Sequence, residues 1–258
     1  MPDNPASYLP RVVMITGATG GFGEAFAKRF AALGCSLILH GRNPEKLARL
    51  AKKFSVPVHP IIFDITDKQA TLFALSSLPP AFGQVDVLIN NAGGALGLDK
   101  AQDADLTDWE DMIAMNDTAL VRITKLILPG MIERRRGHII NIGSTAGNYP
   151  YAGGSVYCAS KAFVHQFSLA LRADLVGTKI RVTSLEPGMA ETPFSLARFK
   201  GDEAKAQAVY AGTTPLTADD VAETAVWVAT LPPHVNVNRM EIMPTAQSFS
   251  PLSVERAG

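Results

Sequence analysis

Short runs of aliphatic and β-branched residues alternate along the chain with longer segments in which apolar residues recur at helical spacing. The first run, VVMITG, precedes FGEAFAKRFAALG, and further strands are predicted at SLILH, VHPIIFD, VDVLINNAG, HIINIG, IRVTSLEPG and RMEIMP. Strands that are apolar on both faces are typical of a parallel sheet covered by helices on both sides. The pattern therefore predicts an α/β protein with a doubly wound parallel sheet.

One domain spanning residues 1–258 accounts for this pattern. A chain of 258 residues is normal for a single large α/β unit, and no linker, repeat or low-complexity tract divides it. A long helical region is predicted over residues 106–134. The segment from about residue 244, PTAQSFSPLSVERAG, is predicted to be an irregular tail suited to packing on a neighbouring subunit.

The charges of the chain cancel, with 24 basic and 24 acidic side chains. Such a chain has no overall field that attracts nucleic acid or an anionic membrane, which favours a small-molecule partner. No basic region followed by an apolar run opens the sequence, and no window approaches a membrane-spanning length. These features predict a soluble, cytoplasmic protein, and the spacing of its cysteines and histidines predicts no metal site.

The turn after the first strand, TGATGGFG, is rich in glycine. Gly17, Gly21 and Gly23 lie between a strand and an amphipathic helix, where absent side chains let the backbone approach a pyrophosphate. The helix N-terminus offers free N–H groups to the same ligand. The context of the motif favours dinucleotide binding over a merely flexible turn.

The end of the second strand, HGRN, indicates which dinucleotide is bound. An acidic residue at the end of this strand would accept a hydrogen bond from a free ribose 2′-hydroxyl, but Gly41 stands in its place. Arg42 follows with a planar guanidinium that suits a phosphate. The sequence thus predicts NADP rather than NAD.

A tyrosine and a lysine four positions apart, in YCASK, are candidates for proton transfer. Tyr157 and Lys161 would share one helix face, and a nearby cation would lower the pKa of the phenol toward the range useful for acid–base work. Ser144, after the fifth strand, would hold a substrate oxygen beside Tyr157. Asn116, inside the long helical region, indicates either a local kink that holds a water or an exposed polar face.

Over essentially its whole length the sequence resembles the short-chain dehydrogenases/reductases. TGATGGFG resembles the family's glycine-rich turn, NNAG its fourth-strand motif, and PGMAET its loop over the nicotinamide. The resemblance implies a seven-stranded Rossmann-type fold, a nicotinamide cofactor and a homotetramer. It implies that the catalytic residues are Asn116, Ser144, Tyr157 and Lys161, with Lys161 on the nicotinamide ribose and Asn116 ordering a relay water.

The cofactor would be bound by residues at the ends of successive strands. Besides Tyr157 and Lys161, the expected contacts are Gly17, Thr19, Gly21, Phe22, Gly23, Arg42, Asn43, Asp64, Ile65, Asn91, Ala92, Gly93, Pro187, Gly188 and Thr192.

A narrower resemblance is to the NADP-dependent 3-hydroxy acid dehydrogenases, a group that includes serine 3-dehydrogenases and malonic semialdehyde reductases. It is carried by GHIINIGSTAG, YPYAGG, KAFVHQFSL, RFKGD, LPPHVNVN and MPTAQS. The substrates of that group carry a carboxylate. Arg198 and Lys200 are cations that could reach it, and Arg198 is favoured because a guanidinium grips a carboxylate bidentately.

The mechanism predicted from these features is reversible hydride transfer to or from the carbon bearing the substrate hydroxyl, with Tyr157 exchanging the hydroxyl proton and Ser144 and Arg198 contacting the substrate. Three alternatives stay open. A sulfoacetaldehyde reductase would use the same machinery on a sulfonate, and a reductase of neutral ketones would need no cation in its pocket. An NADP-binding regulator would need no proton relay.

Overall fold

A computed structural model describes residues 8–249 of the chain. Its sheet has seven parallel strands in the order β3-β2-β1-β4-β5-β6-β7. The strands are β1 Val12–Ile15, β2 Ser36–Gly41, β3 Val58–Ile62, β4 Val87–Asn90, β5 Gly137–Ile142, β6 Ile180–Pro187 and β7 Arg239–Ile242. Each strand predicted from the sequence is present, and the doubly wound α/β fold is confirmed.

Helices connect the strands and cover both faces of the sheet. They are α1 Gly21–Ala32, α2 Pro44–Ala51, α3 Lys68–Ser76, α4 Leu106–Ile113, α5 Ala119–Arg134, α6 Ser155–Asp174, α7 Phe194–Arg198, α8 Glu203–Ala208 and α9 Ala218–Thr230. A π-helical turn, Ala114–Thr118, joins α4 to α5. The long helical region predicted over residues 106–134 is therefore present, with a π-helical turn inside it.

The core consists of two apolar layers on opposite faces of the sheet. Val13 and Ile15 of β1 pack with α1, α2 and α9, whereas Val12 and Met14 pack on the other face with α5 and α6. Successive side chains of a strand point to opposite faces, so a strand buried on both faces must be apolar throughout. This explains the unbroken apolar runs in the sequence.

The two halves of the sheet diverge between β1 and β4, which are hydrogen-bonded neighbours. A crevice at such a switch point, beyond the carboxyl ends of the strands, is where doubly wound folds bind their ligands. The turns after β1, β2, β4, β5 and β6 all open at this edge. The fold thus gathers segments that are far apart in the sequence.

The segment after β7 contains no helix or strand over residues 243–249, in keeping with the predicted irregular tail, whose remainder lies outside the described residues. It folds back on the body of the protein, because Gln247 Oε1 accepts a hydrogen bond of 2.7 Å from the backbone N–H of Met189. No helix within residues 8–249 is long and apolar enough to cross a membrane.

Candidate active site

The glycine turn after β1 contains one residue with left-handed backbone conformation. Gly17 has a φ of +63°, in the left-handed region that glycine adopts at no steric cost. A Cβ there would also lie 2.9 Å from the Cα of Ala92, so the turn packs directly against the segment after β4. Helix α1 begins after Gly20 without any side-chain cap, which leaves its first N–H groups directed at the edge of the sheet.

A buried histidine holds this turn, and sequence reasoning missed it. His40, at 2% exposure, accepts a 3.2 Å hydrogen bond at Nδ1 from the Gly17 N–H, and its Nε2 lies 3.1 Å from the Phe63 carbonyl oxygen. Burial lowers the pKa of His40 to about 4. The ring is therefore neutral at physiological pH, with its proton on Nε2. The one sequence signal was its place at the end of β2.

Thr16 joins the first and fourth strand ends and was likewise not predicted. Its hydroxyl oxygen accepts hydrogen bonds of 2.9 Å from the backbone N–H groups of Asn91 and Ala92. The Asn91 side chain in turn donates to the carbonyl oxygens of Thr16 and Gly17. The predicted cofactor segments after β1 and β4 thus form one rigid unit.

Arg42 lies at the carboxyl end of β2 with its side chain 73% exposed. Its Nη1 is 3.8 Å from Asp64 Oδ2, a loose and solvated pairing that contributes little stability and leaves the guanidinium accessible. Asn43 uses its side chain to cap α2 through the Lys46 N–H. The side chain of Ile65 is buried, so that residue offers only its backbone to a ligand.

Gly41, where an acidic residue would select NAD, is buried in the described structure. A Cβ at this position would lie 3.4 Å from Thr19 Cγ2, so the end of β2 packs against the predicted cofactor turn. No side chain of residue 41 competes with Arg42 for a ligand. The geometry agrees with the sequence-based preference for a phosphate at this point.

The π-helical turn places Asn116 inside the protein. Asn116 is 1% exposed, and three hydrogen bonds hold its amide. Oδ1 accepts from the Gly94 N–H, while Nδ2 donates to the Gly94 carbonyl and to Ser160 Oγ. Single π-turns within helices are frequent at functional sites. The alternative of an exposed polar face was wrong, and the local break in the helix was correct.

Tyr157, Lys161 and Ser144 meet at the carboxyl end of β5. Tyr157 and Lys161, at 9% and 8% exposure, lie on one face of α6, with Lys161 Nζ 5.8 Å from the centre of the Tyr157 ring. Lys161 Nζ also donates a 2.9 Å hydrogen bond to the Ile142 carbonyl. The Ser144 hydroxyl is 3.4 Å from the Pro187 carbonyl oxygen. The predicted grouping of these side chains is what the structure contains.

The pKa of Tyr157 differs from the expectation. Burial raises it well above the ordinary value of 10, while a hydrogen bond with Ser144 and the charge of Arg198 act to lower it. The predicted lowering of this pKa is wrong, because desolvation outweighs the hydrogen bond with Ser144 and the charge of Arg198. Burial also lowers the pKa of Lys161 to about 8, against the raising effect of Asp117.

Arg198 reaches the same place from α7. Its guanidinium carbon lies 5.3 Å from the centre of the Tyr151 ring and 5.7 Å from that of Tyr157, and Nε donates to the Gly97 carbonyl. Nη2 of Arg198 is buried and has no hydrogen-bond partner within the described part of the chain. Lys200, the other predicted cation, instead pairs with Asp108 at 2.9 Å.

The loop after β6 closes the site on the side of the glycine turn. A Cβ at Gly21 would lie 2.8 Å from Thr192 Cβ, so this loop touches the start of α1. The Gly188 N–H donates a 2.7 Å backbone hydrogen bond to the carbonyl of Ile242, the last residue of β7. The predicted residues Pro187, Gly188 and Thr192 therefore border the space between α1 and Tyr157.

These features fit a dinucleotide. An uncapped helix start, a glycine turn with a left-handed residue and an exposed arginine follow β1 and β2, and they suit phosphate groups. The phenol, ammonium and hydroxyl at the other end suit proton transfer to a substrate oxygen. The fold and the site thus define a dinucleotide-dependent oxidoreductase of the α/β class.

The chain belongs to the short-chain dehydrogenase family, whose model matches residues 11–203. It is 52% identical over 247 residues to an NADP-dependent 3-hydroxy acid dehydrogenase of Salmonella typhi, covering 95% of this chain and 100% of that protein. It is 53% identical over 248 residues to sulfoacetaldehyde reductase 2 of Chromohalobacter salexigens, covering 95% and 98%. The family predicted from the sequence motifs is confirmed.

A solved structure described as the closed form of serine dehydrogenase complexed with NADP+ is similar to this one over most of both chains. The TM-score is 0.94 and the identity 50%, with 95% of this chain and 100% of the other covered. The predicted fold is confirmed by this likeness as well as by the strand order.

Proposed function

We propose that this protein is an NADP-dependent dehydrogenase that interconverts a small 3-hydroxy acid and the corresponding 3-oxo acid. The proposal of an acidic substrate rests on Arg198, because its Nη2 is buried and has no hydrogen-bond partner among residues 8–249. A buried charged donor without an acceptor is costly, and a substrate carboxylate beside Tyr157 would satisfy it. The similarity to a 3-hydroxy acid dehydrogenase and to serine dehydrogenase supports the same substrate class.

The preference for NADP is supported by Arg42 and by the absence of an acid at Gly41. We propose that Arg42 binds the 2′-phosphate, which a guanidinium holds with charge-assisted hydrogen bonds. The remaining predicted cofactor residues line the same edge of the sheet. Bound there, the nicotinamide would accept or supply the hydride.

The chain's own residues would handle the proton. Tyr157 donates its phenolic proton to the substrate oxygen during reduction and takes it back during oxidation. Ser144 donates a hydrogen bond to that oxygen and orients it, and Lys161 stabilises the phenolate that forms. Asn116, held by Gly94 and Ser160, is proposed to order a water on the path of the proton to solvent.

A sulfonate is the second candidate for the substrate anion, since the chain is 53% identical to a sulfoacetaldehyde reductase and a guanidinium binds sulfonates as it does carboxylates. The homotetramer and the cytoplasmic location stay predictions from the family resemblance and from the composition.

The experiment is NADP-dependent turnover, followed by nicotinamide absorbance, with L-serine, 3-hydroxypropionate, isethionate and a neutral alcohol of similar size. We expect a carboxylate substrate to be preferred, and Arg198→Met to raise its KM about 10- to 100-fold, the loss of one charge-assisted contact. Lys200→Met is the matched control. Because Lys200 is paired with Asp108, this substitution should leave KM nearly unchanged.

The outcomes separate the candidates. Preference for isethionate with the same dependence on Arg198 would assign the protein to sulfonate substrates. Equal turnover of the neutral alcohol by the wild type and by Arg198→Met would contradict an anionic substrate altogether.

A further inference from the structure

A fully buried carboxylate lies beside the candidate site and has no part in the mechanism above. Glu186, the residue before Pro187 in β6, is 0% exposed. A buried carboxylate is costly unless it is hydrogen-bonded and paired. The hydrogen-bond partners of Glu186 therefore indicate the structural role of this carboxylate.

Four donors surround Glu186, two on each oxygen. Oε1 accepts 2.8 Å and 2.7 Å hydrogen bonds from Ser184 Oγ and His165 Nδ1. Oε2 accepts bonds of 2.7 Å from Asn148 Nδ2 and from Arg239 Nε. The two oxygens of an ionised carboxylate offer about four lone-pair sites, so Glu186 is used to capacity.

These partners lie on different elements. Ser184 is on β6 itself, Arg239 is on β7, and His165 is on α6, the helix that carries Tyr157 and Lys161. Asn148 ends the short 3₁₀ turn Thr145–Gly147, whose N-cap is Ser144. One carboxylate thus joins the helix of the tyrosine to the turn of the serine.

Glu186 also contacts the backbone next to Ser144. A Cβ at Gly143 would lie 2.8 Å from Glu186 Cγ and 3.1 Å from Ser184 Oγ, so the Gly143 backbone rests on the glutamate stem. The Gly143 N–H donates to the Leu185 carbonyl at 2.8 Å, and the Ser144 hydroxyl approaches the Pro187 carbonyl. Ser144 is therefore held on both sides by the stretch of β6 that includes Glu186.

We propose that Glu186 is a positioning residue that fixes the Ser144 hydroxyl relative to Tyr157. It acts through Asn148 and Gly143 on the serine turn and through His165 on α6, and it does not touch substrate or cofactor. The inference rests on the proposed role of Ser144 in the reaction. Because small displacements of a catalytic group are expensive, removing this carboxylate should affect turnover more than substrate binding.

The first test is a double-mutant cycle with Glu186→Gln and Ser144→Ala, on whichever substrate the wild type turns over. In the glutamine variant an amide NH₂ faces donors where an oxygen accepted, so we expect kcat to fall about 10- to 100-fold with a much smaller change in KM. In the Ser144→Ala background the same substitution should cost little more. Additive losses in the two variants would overturn the proposal.

A second variant tests the proposal in case Glu186→Gln fails to fold. Asn148→Ala removes the 2.7 Å hydrogen bond from the serine turn to Glu186, together with the longer 3.4 Å contact of Asn148 Nδ2 with Glu241 Oε2. We expect it to lower kcat in the same direction with the thermal midpoint nearly retained. Asp86→Asn is the matched structural control, since Asp86 is a buried carboxylate (3% exposed) paired with Arg136 at the opposite edge of the sheet. It should lower stability without a selective loss of kcat, and an equal kcat loss in this control would refute a positioning role.

Hydrogen–deuterium exchange of the cofactor-free protein supplies a readout that needs no activity. Amides of residues 143–149 should exchange faster in Glu186→Gln than in the wild type, whereas those of α1 should not. Unchanged protection of residues 143–149 would refute the mechanical link even if the protein proved to use another substrate. Faster exchange with wild-type inactivity on every acid would instead count against the proposed function alone.

Discussion

Acidification should weaken the hydrogen bond that holds the glycine turn, because this bond depends on the neutral form of His40. The neutral ring links Gly17 to Phe63. The Nδ1 atom accepts from the Gly17 N–H, and protonation of Nδ1 would turn this acceptor into a donor facing a donor. The histidine is 2% exposed, and burial lowers its pKa from 6.5 to about 4. Between these two pH values the unfolded chain binds the proton more tightly than the folded chain.

The magnitude follows from linkage. Stability rises with pH wherever the unfolded state binds more protons, so the contribution of His40 is unfavourable below pH 6.5 and reaches its full size below about pH 4. One pKa unit corresponds to about 1.4 kcal/mol. His40 alone should therefore lower the free energy of unfolding by roughly 2 to 3 kcal/mol between neutrality and about pH 4.5.

The assay compares urea unfolding of the wild type and of His40→Gln across this pH range, at one protein concentration. Glutamine offers a donor and an acceptor but does not titrate. Asp117, whose pKa burial raises to about 6, and His138, whose pKa burial lowers, titrate in both proteins, so their contributions cancel in the comparison. The difference between the two proteins should shift in favour of the variant by the amount above.

The same difference in free energy of unfolding between the two proteins at neutral and at acidic pH would refute the assignment of the acid sensitivity to His40.

A related consequence concerns the cofactor. Since His40 shapes the turn at Gly17, NADPH affinity of the wild type should fall on acidification more steeply than that of His40→Gln, as measured by fluorescence titration.

Three further predictions follow from the site. Tyr157→Phe should lower turnover at least about 100-fold, the upper part of the range for one acid–base group, with NADPH affinity retained; unchanged turnover would exclude its role in proton transfer. Arg42→Ala should weaken NADPH binding far more than NADH binding, and equal losses for both would mean that Arg42 does not read the 2′-phosphate. Gly93→Ala should lower kcat, because the added Cβ would lie 2.7 Å from Asn116 Oδ1. Gly94→Ala is the control, because the atom nearest to its added Cβ is the flexible Met115 Cε at 3.5 Å. A comparable loss of kcat in the control would argue against a specific effect on Asn116.

The strand and helix alternation was predictable because burial on both faces leaves a direct mark on the sequence. Val12 to Ile15 are apolar without interruption, since alternate residues enter opposite core layers. The glycine turn, Arg42 and the Tyr157–Lys161 pair were also predictable. In each case the chemistry depends on residues close in sequence, whose relative placement a strand end or a helix turn fixes.

What the sequence did not predict depends on long-range contacts. The hydrogen bonds between His40 and Gly17, between Thr16 and Asn91, and between His165 and Glu186 join residues 21 to 75 positions apart. No local pattern distinguishes these polar residues from others at strand ends. The pKa of Tyr157 was mispredicted for the same reason, because its largest cause is burial by the surrounding fold.

The two cations near Tyr157 come from different helices, Lys161 from α6 and Arg198 from α7. Lys161 lies within the protein, bound to the Ile142 carbonyl. Arg198 comes from α7, and its Nη2 has no hydrogen-bond partner among residues 8–249. Burial is the largest influence on the pKa of Tyr157 and raises it, whereas Arg198 lowers it. A carboxylate bound to Arg198 would offset that lowering and favour the protonated phenol further, which is the form that reduction of a 3-oxo acid requires. An anionic substrate therefore suits the proton donor as well as Nη2 of Arg198, whereas a neutral ketone would leave the charge of Arg198 uncompensated.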